Sequence, residues 1–256
     1  MNYKLIIAYD GTRYKGWERQ PATDMTVQGK IEQVLKRMVT DAAASGTQDA
    51  ADEEIHVIAA GRTDAGVHAL AMCANVHLDC ALSEQDIASY LNRYLPEDIA
   101  VTKLHACSDR FHARYNATGK TYRYTCYTGA AKPVFDRKYV AVLERMPDVD
   151  KMRDAARVLC GTHDFKSFCL NKGNKSTVRT VDLIDITVRG DYLRFTYHGN
   201  GFLRGMVRIM TGTLLETGFG ERKPSDMEDI LRAKSRAASG HAAPPQGLSL
   251  ISVDYD

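Results

Sequence analysis

No Cys-x-x-Cys pair occurs in this 256-residue chain: Cys73, Cys80, Cys107, Cys126, Cys160 and Cys169 are scattered. That spacing speaks against a zinc ribbon or a disulfide framework and for buried, reduced thiols. Long apolar runs are missing too. In the opening MNYKLIIAYDG the run from Leu5 to Ala8 covers four residues, too short for a signal peptide or a membrane span, so a cytoplasmic protein is expected. A strong charge of either sign is absent. A net charge of +2 permits a nucleic-acid partner without requiring one, and any basic footprint must be local. No stretch rich in Pro, Gly or Ser marks a linker, and no two histidines stand at a helical ligand spacing such as H-x-x-x-H.

What is present is ordinary globular material, 44% hydrophobic and 26% charged, enough for one large domain or two of moderate size. Tyr3 to Tyr9 reads as a strand. Val27, Ile31, Val34, Leu35 and Met38 recur at helical spacing behind a cap at Thr26. The alanine-rich stretch from Asp41 to Glu54 reads as a surface loop, followed by strands over Ile55 to Ala60 and Leu70 to Leu78. Ser83 and Asp86 form a capping-box pattern ahead of Ile87, Leu91 and Leu95, and a strand over Ala100 to Cys107 closes the series. The order β-α-β-β-α-β is the ferredoxin-like pattern, whose sheet carries helices on one face and leaves the other for a ligand.

The second half predicts a strand around KTYRYTCYT and a helix from Asp148 to Leu159 with Met152, Ala155, Ala156 and Leu159 on its apolar face. A hairpin of Val181 to Val188 and Tyr192 to Tyr197 turns at Arg189, Gly190 and Asp191. Helices over Phe202 to Glu216 and Asp226 to Ala237 and a strand over Leu248 to Val253 follow. The fold class expected is α+β, two ferredoxin-like lobes over residues 1–108 and 109–256 that share a mainly antiparallel sheet and a cleft.

Asp64 stands in GRTDAGVHA between Gly61 and Gly66, on the connection between two strands. Glycines permit backbone conformations closed to other residues and a close approach to a ligand, so a carboxylate here is displayed. Arg62 could keep that carboxylate ionised; equally, the two residues could simply pin a hairpin. Tyr122, Tyr124 and Cys126 alternate on one strand face, the pattern of a core.

The run GRTDAGVHA resembles the catalytic segment of the tRNA pseudouridine synthase A family. YDGTRYKGWERQ upstream and KTYRYTCYT, GTHDFKSFC, GFLRGMVRIM and APPQGLSL downstream fall in the same order, so the resemblance spans nearly the whole chain. It implies an enzyme that isomerises uridine in tRNA, at positions 38, 39 and 40 of the anticodon stem-loop, without cofactor or metal and as a homodimer. Asp64 is then the catalytic carboxylate, Tyr122 the active-site tyrosine and Arg208 the active-site arginine, placed to pair with Asp64. Arg204, one helical turn before Arg208, is expected on the same helix face.

Such an enzyme must also hold an unstacked nucleotide. Tyr9, Arg13, Tyr14, Lys15, Trp17 and Arg19 interleave aromatics with cations in one turn, a composition suited to phosphates and bases. The substrate-binding set is therefore Tyr122, Arg62, Arg13, Lys15, Trp17, Arg19, His68 and Arg204, with Arg110, Arg114, Lys120, Arg123, Lys166, Lys172, Lys175 and Arg179 as further cations. Departures from the family pattern are Glu18 for a common glutamine, Ala71 and Met72 for a frequent Gly-Gln, and Arg204-Gly205 where bulkier residues are usual; none touches Asp64, Tyr122 or Arg208.

Other readings fit less well. GNKST at Gly173 to Thr177 lacks the glycine a P-loop needs five residues earlier, and Gly199, Asn200, Gly201 and Gly205 precede a helix in a non-parallel context. His163 and Asp164 have no partners at metal-ligand spacing. A non-catalytic RNA-binding protein on the same fold is the remaining alternative, since architecture alone never establishes activity; an intact Asp64 argues against it.

Overall fold

The computed structural model describes residues 1–44, 54–170 and 176–256. They form two compact units, Met1–Ala117 with Ile251–Asp256, and Thr118–Leu250. Lys172, Lys175 and most of the GNKST segment lie outside the described residues, as does most of the expected loop between Asp41 and Glu54.

The first unit runs β1 (Asn2–Tyr9), α1 (Val27–Ala44), β2 (Ile58–Ala59), β3 (His68–His77), α2 (Glu84–Tyr94) and β4 (Ile99–Cys107). Alternation in β1 buries Tyr3, Leu5, Ile7 and Tyr9 on one face, the period of two that a pleated strand imposes. β1 pairs antiparallel with both β4 and β3, and β2 pairs antiparallel with β3, which gives the local order β4-β1-β3-β2. α1 buries Val27, Ile31, Leu35 and Met38, and Thr26 Oγ1 accepts from the Gly29 N–H at 3.3 Å. α2 is capped by Ser83, whose oxygen accepts from the Asp86 N–H.

Two expectations for this unit are corrected. α1 continues to Ala44, into the stretch read as loop. The strand expected over Ile55 to Ala60 shrinks to β2, because the Val57 N–H donates to the Glu32 carboxylate at 2.9 Å instead of to a neighbouring strand.

The second unit contains β5 (Ala117–Tyr127), β6 (Ala141–Val142), α3 (Val149–Leu159), β7 (Gly161–Asp164), β8 (Val178–Arg189), β9 (Tyr192–Gly199), α4 (Met206–Phe219) and α5 (Asp226–Ala233). The strands β5, β9, β8 and β7 pair antiparallel in that order, and β6 lies parallel to β5. β10 (Leu248–Tyr255) contributes its first three residues to this unit and the rest to the first. The architecture is thus mixed α/β with mostly antiparallel strands.

α3 buries the four residues its spacing predicts, Met152, Ala155, Ala156 and Leu159, behind the cap Asp148. The hairpin turns through two residues, Gly190 and Asp191, with φ +56° at Gly190, the position where a two-residue turn of the II′ kind needs glycine. α4 begins four residues later than the apolar periodicity predicts, because Gly205 ahead of it takes φ +71°, a left-handed conformation that no helix can pass through. Arg204 is consequently outside α4, and its expected place on a helix face with Arg208 is corrected. α5 stops at Ala233, and Lys234 behind it is held at φ +47°.

Candidate active site

The segment from Gly61 to Val67 joins β2 to β3 and is clasped by the turn that follows β1. The Trp17 N–H donates to the Thr63 carbonyl at 3.1 Å, and the Gly66 N–H donates to the Tyr14 carbonyl at 3.3 Å. Beneath them the buried hydroxyls of Tyr9 and Thr63 share a hydrogen bond of 2.8 Å. Such an approach requires glycine on the facing side. A Cβ at Gly11 would stand 2.0 Å from the Val67 carbonyl oxygen, and one at Gly16, which has φ +106°, would stand 2.8 Å from that of Thr63.

Asp64 sits at the crest of this arrangement, half-buried, with its own carbonyl accepting from the Val67 N–H at 3.2 Å. Gly66 closes the turn at φ +78°. Of the two glycines expected to give the motif its shape, Gly66 uses a positive φ and Gly61 does not. A carboxylate on a loop tied down at Thr63, Gly66 and Val67 loses little further freedom when it meets a reacting atom, which is the condition for efficient covalent or electrostatic catalysis.

The remaining motif residues divide by exposure. His68 is buried, and its Nδ1 accepts from the Gly11 N–H at 3.0 Å. Asp10 Oδ1 lies 3.2 Å from the same nitrogen but already accepts from the Thr12 N–H and hydroxyl. Trp17 is 2% exposed and packs its ring 5.8 Å from that of Tyr9. Its surface is spent on the loop, not offered to solvent.

Arg62 is exposed and pairs with Glu18 at 2.6 Å. Arg13 grips Asp98 through Nε at 2.5 Å, and the Tyr14 hydroxyl donates to the same carboxylate; burial and this bond push the Tyr14 hydroxyl up to about 12. Arg19 bridges Glu54 at 2.6 Å and Glu32 at 3.7 Å. Lys15 is exposed.

In the second unit, Tyr122 of β5 is 8% exposed, stands opposite Tyr197 of β9, and meets the Phe202 ring edge-on at 5.3 Å. Tyr124, two residues on, is fully buried with its hydroxyl donating to the Pro244 carbonyl at 2.8 Å; burial raises its pKa far above the ordinary tyrosine value. Arg208, in the first turn of α4, is half-buried and donates Nε–H to the Ala243 carbonyl at 2.7 Å. That bond fixes the plane of the guanidinium. Arg204 is exposed, and its carbonyl accepts from the Leu170 N–H.

Thr63, Gly11, Gly16, Phe202 and Ala243 shape these positions and were not singled out from the sequence. The glycines of YDGTRYKGW, five residues apart, were the signal available for the clasp. Ala243 opens the APPQGLSL segment but acts through its backbone, so its residue type carries no signal of its own.

The family model described as tRNA pseudouridine synthase matches residues 5–116 and 155–256. Tyr122 falls between the matched segments, while Asp64 and Arg208 lie within them. Among curated relatives, the tRNA pseudouridine synthase A 1 of Clostridium tetani is 44% identical and the tRNA pseudouridine synthase A of Bacillus sp. strain KSM-64 is 43% identical, each over 99% of both chains. The tRNA pseudouridine synthase A of Geobacillus kaustophilus is 42% identical over 99% of this chain and 94% of its own. With its motif loop, glycine clasp and full-length similarity taken together, this chain belongs to the tRNA pseudouridine synthase family.

Proposed function

We propose that the protein isomerises uridine to pseudouridine in the anticodon stem-loop of tRNA, at positions 38, 39 and 40, with Asp64 as the catalytic carboxylate. The observation that carries this reading is the clasped loop, which displays a half-buried aspartate in the family's motif on an immobilised backbone. The β-α-β-β-α-β order with local pairing β4-β1-β3-β2 supports a ferredoxin-like reading of the first unit, a frame that other RNA-binding modules use.

The reaction breaks the bond between ribose C1′ and uracil N1, turns the base, and forms a bond from C1′ to C5. The C5 proton is lost and N1 regains one, so atoms and electrons balance without an oxidant, a group donor or a cofactor. A carboxylate serves by attacking covalently or by stabilising positive charge on the ribose. Tyr122 is assigned to the base, through its ring and hydroxyl, and Arg208 supplies fixed positive charge to the reacting groups. The exposed cations Arg13, Lys15, Arg19, Arg62 and Arg204 are assigned to phosphates. Trp17 and His68 contribute by holding the loop that carries Asp64. A cytoplasmic homodimer completes the reading.

The test is to incubate purified protein with unmodified tRNA transcripts, without metal or nucleotide, and to map pseudouridine base by base. Product at one or more of the three anticodon-arm positions, lost in Asp64→Ala and Asp64→Asn while tRNA binding persists, is expected. Full activity in either variant would overturn the role of Asp64, and tight binding without product in the wild type would favour a binding-only protein.

A further inference from the structure

The loop from Ser108 to Asn116, between β4 and β5, is a surface segment of the first unit held from beneath by buried side chains. Two fully buried asparagines on adjacent strands serve it. Asn2 Nδ2 donates to the carbonyls of Ser108 and Phe111, both at 2.9 Å, and Asn75 Oδ1 accepts from the Ala113 N–H at 2.8 Å. Asn75 Nδ2 donates to Asn2 Oδ1 at 3.0 Å, and the Tyr255 hydroxyl donates to the Ala113 carbonyl at 2.7 Å. Burying two amides is unfavourable unless their bonds are all made. Here those bonds fix a loop.

What the loop presents is one aromatic ring. Tyr115 is 79% exposed, and its ring packs against the His112 imidazole with centroids 4.2 Å apart and planes 30° from parallel. His112 Nδ1 accepts from the N–H groups of Arg114 and Tyr115 at 3.2 and 3.3 Å, and the His112 N–H donates to Asn116 Oδ1 at 2.7 Å. The imidazole is thus locked as a support under the tyrosine. Arg110 and Arg114 on the same loop are exposed.

We propose that this loop is a second RNA-docking point, on which an unstacked base of the tRNA other than the reacting uridine stacks against Tyr115 while Arg110 and Arg114 meet flanking phosphates. The inference rests on the proposed tRNA substrate. An aromatic face beside cations, held rigid, is what stacking recognition of single-stranded RNA requires. A protein partner fits less well, because the exposed residues beside Tyr115 along the loop, Asp109, Arg110, Arg114 and Asn116, are charged or polar, whereas the centre of a protein interface is depleted of charge.

The test measures tRNA affinity of the full chain by filter binding at several salt concentrations, beside its oligomeric state. Tyr115→Ala and Tyr115→Leu are expected to weaken binding by about 5- to 100-fold, and Tyr115→Phe is expected to retain it. Arg110→Gln and Arg114→Gln are each expected to shallow the salt dependence by about one phosphate contact. Wild-type affinity in Tyr115→Ala would overturn the proposal, as would equal rescue by leucine and phenylalanine. Loss of binding that coincides with dissociation of an oligomer would also overturn it, and make the loop a contact between copies. The affinity series reads the loop even if the wild type forms no pseudouridine, so failure of the platform and failure of the assigned activity are separable.

Discussion

Arg208 illustrates how much one side chain depends on its plane. Its Nε–H is committed to the Ala243 carbonyl at 2.7 Å, an orientation that a lysine ammonium, without a second nitrogen along its stem, cannot reproduce. Arg208→Lys keeps the charge and loses the plane, so kcat for pseudouridine formation should fall by about 10- to 100-fold, the worth of one charge-assisted hydrogen bond. Single-turnover rates at saturating tRNA would read this directly. The same scale shows what residue types reveal. Asp64, Tyr122 and Arg208 are the positions the motifs single out, and the structure gives each a held place: a clasped loop, the strand β5 and the first turn of α4. Trp17 and His68, expected among the substrate-binding residues, are buried: in RYKGWERQ both aromatics turn inward while Arg13, Lys15 and Arg19 stay outside, and interleaving of rings with cations describes a docked turn as well as it describes an RNA contact.

Tyr14 carries a pH consequence. Its hydroxyl is pushed up to about 12, first by burial and then by its bond to Asp98, against about 10 in an unfolded chain. A group whose folded pKa is raised contributes stability that is fully present below the unfolded value and lost as pH rises through the folded one. The Tyr14 contribution is therefore intact below about pH 10 and disappears by about pH 12. Tyr14→Phe should flatten the fall in Tm across that alkaline window. An unchanged slope would show that Tyr14 does not titrate with folding.

Among the elements, those with a single, regular periodicity were read correctly. α3 buries the four predicted residues, and β1 alternates as a strand must. The failures lie where a backbone conformation, invisible in side-chain hydrophobicity, overrides the pattern. Gly205 at φ +71° delays α4 in spite of the apolar residues before it, and Val57 gives its N–H to Glu32 and so cuts short a β-rich run. The glycine clasp was half legible: the glycines stand out in the sequence, the carbonyls they face do not.

That clasp predicts a coupled loss. A methyl at Gly11 would have to displace the Val67 carbonyl, 2.0 Å away, so Gly11→Ala should destabilise the protein by about 1–3 kcal/mol and lower kcat as Asp64 moves with its loop. The check is chemical denaturation run beside single-turnover kinetics; a stable variant with full activity would refute the clasp. At the end of α5 the sign reverses. Lys234 holds φ +47°, a conformation that costs a side chain roughly 1–2 kcal/mol and glycine nothing. Its ion pair with Asp164 at 3.0 Å is half-exposed and worth at most about 1 kcal/mol. Lys234→Gly should thus raise stability by up to about 1 kcal/mol, measurable as a higher urea midpoint at constant m.

At the scale of the whole molecule, the units do not follow the order of the chain. The first is completed by Ile251–Asp256, after Thr118–Leu250 has formed the second. Tyr255, from that late segment, supplies the bond to the Ala113 carbonyl and lies with its ring 5.2 Å from Phe111 and 4.1 Å from the Lys4 ammonium. On a translating ribosome, Met1–Ala117 must therefore wait for Ile251–Asp256. Nascent chains arrested before residue 251 should remain open to protease within Ser108–Asn116 and become resistant only once Tyr255 has cleared the exit tunnel, so that the emergence of one tyrosine sets the moment at which the RNA-facing loop is finished.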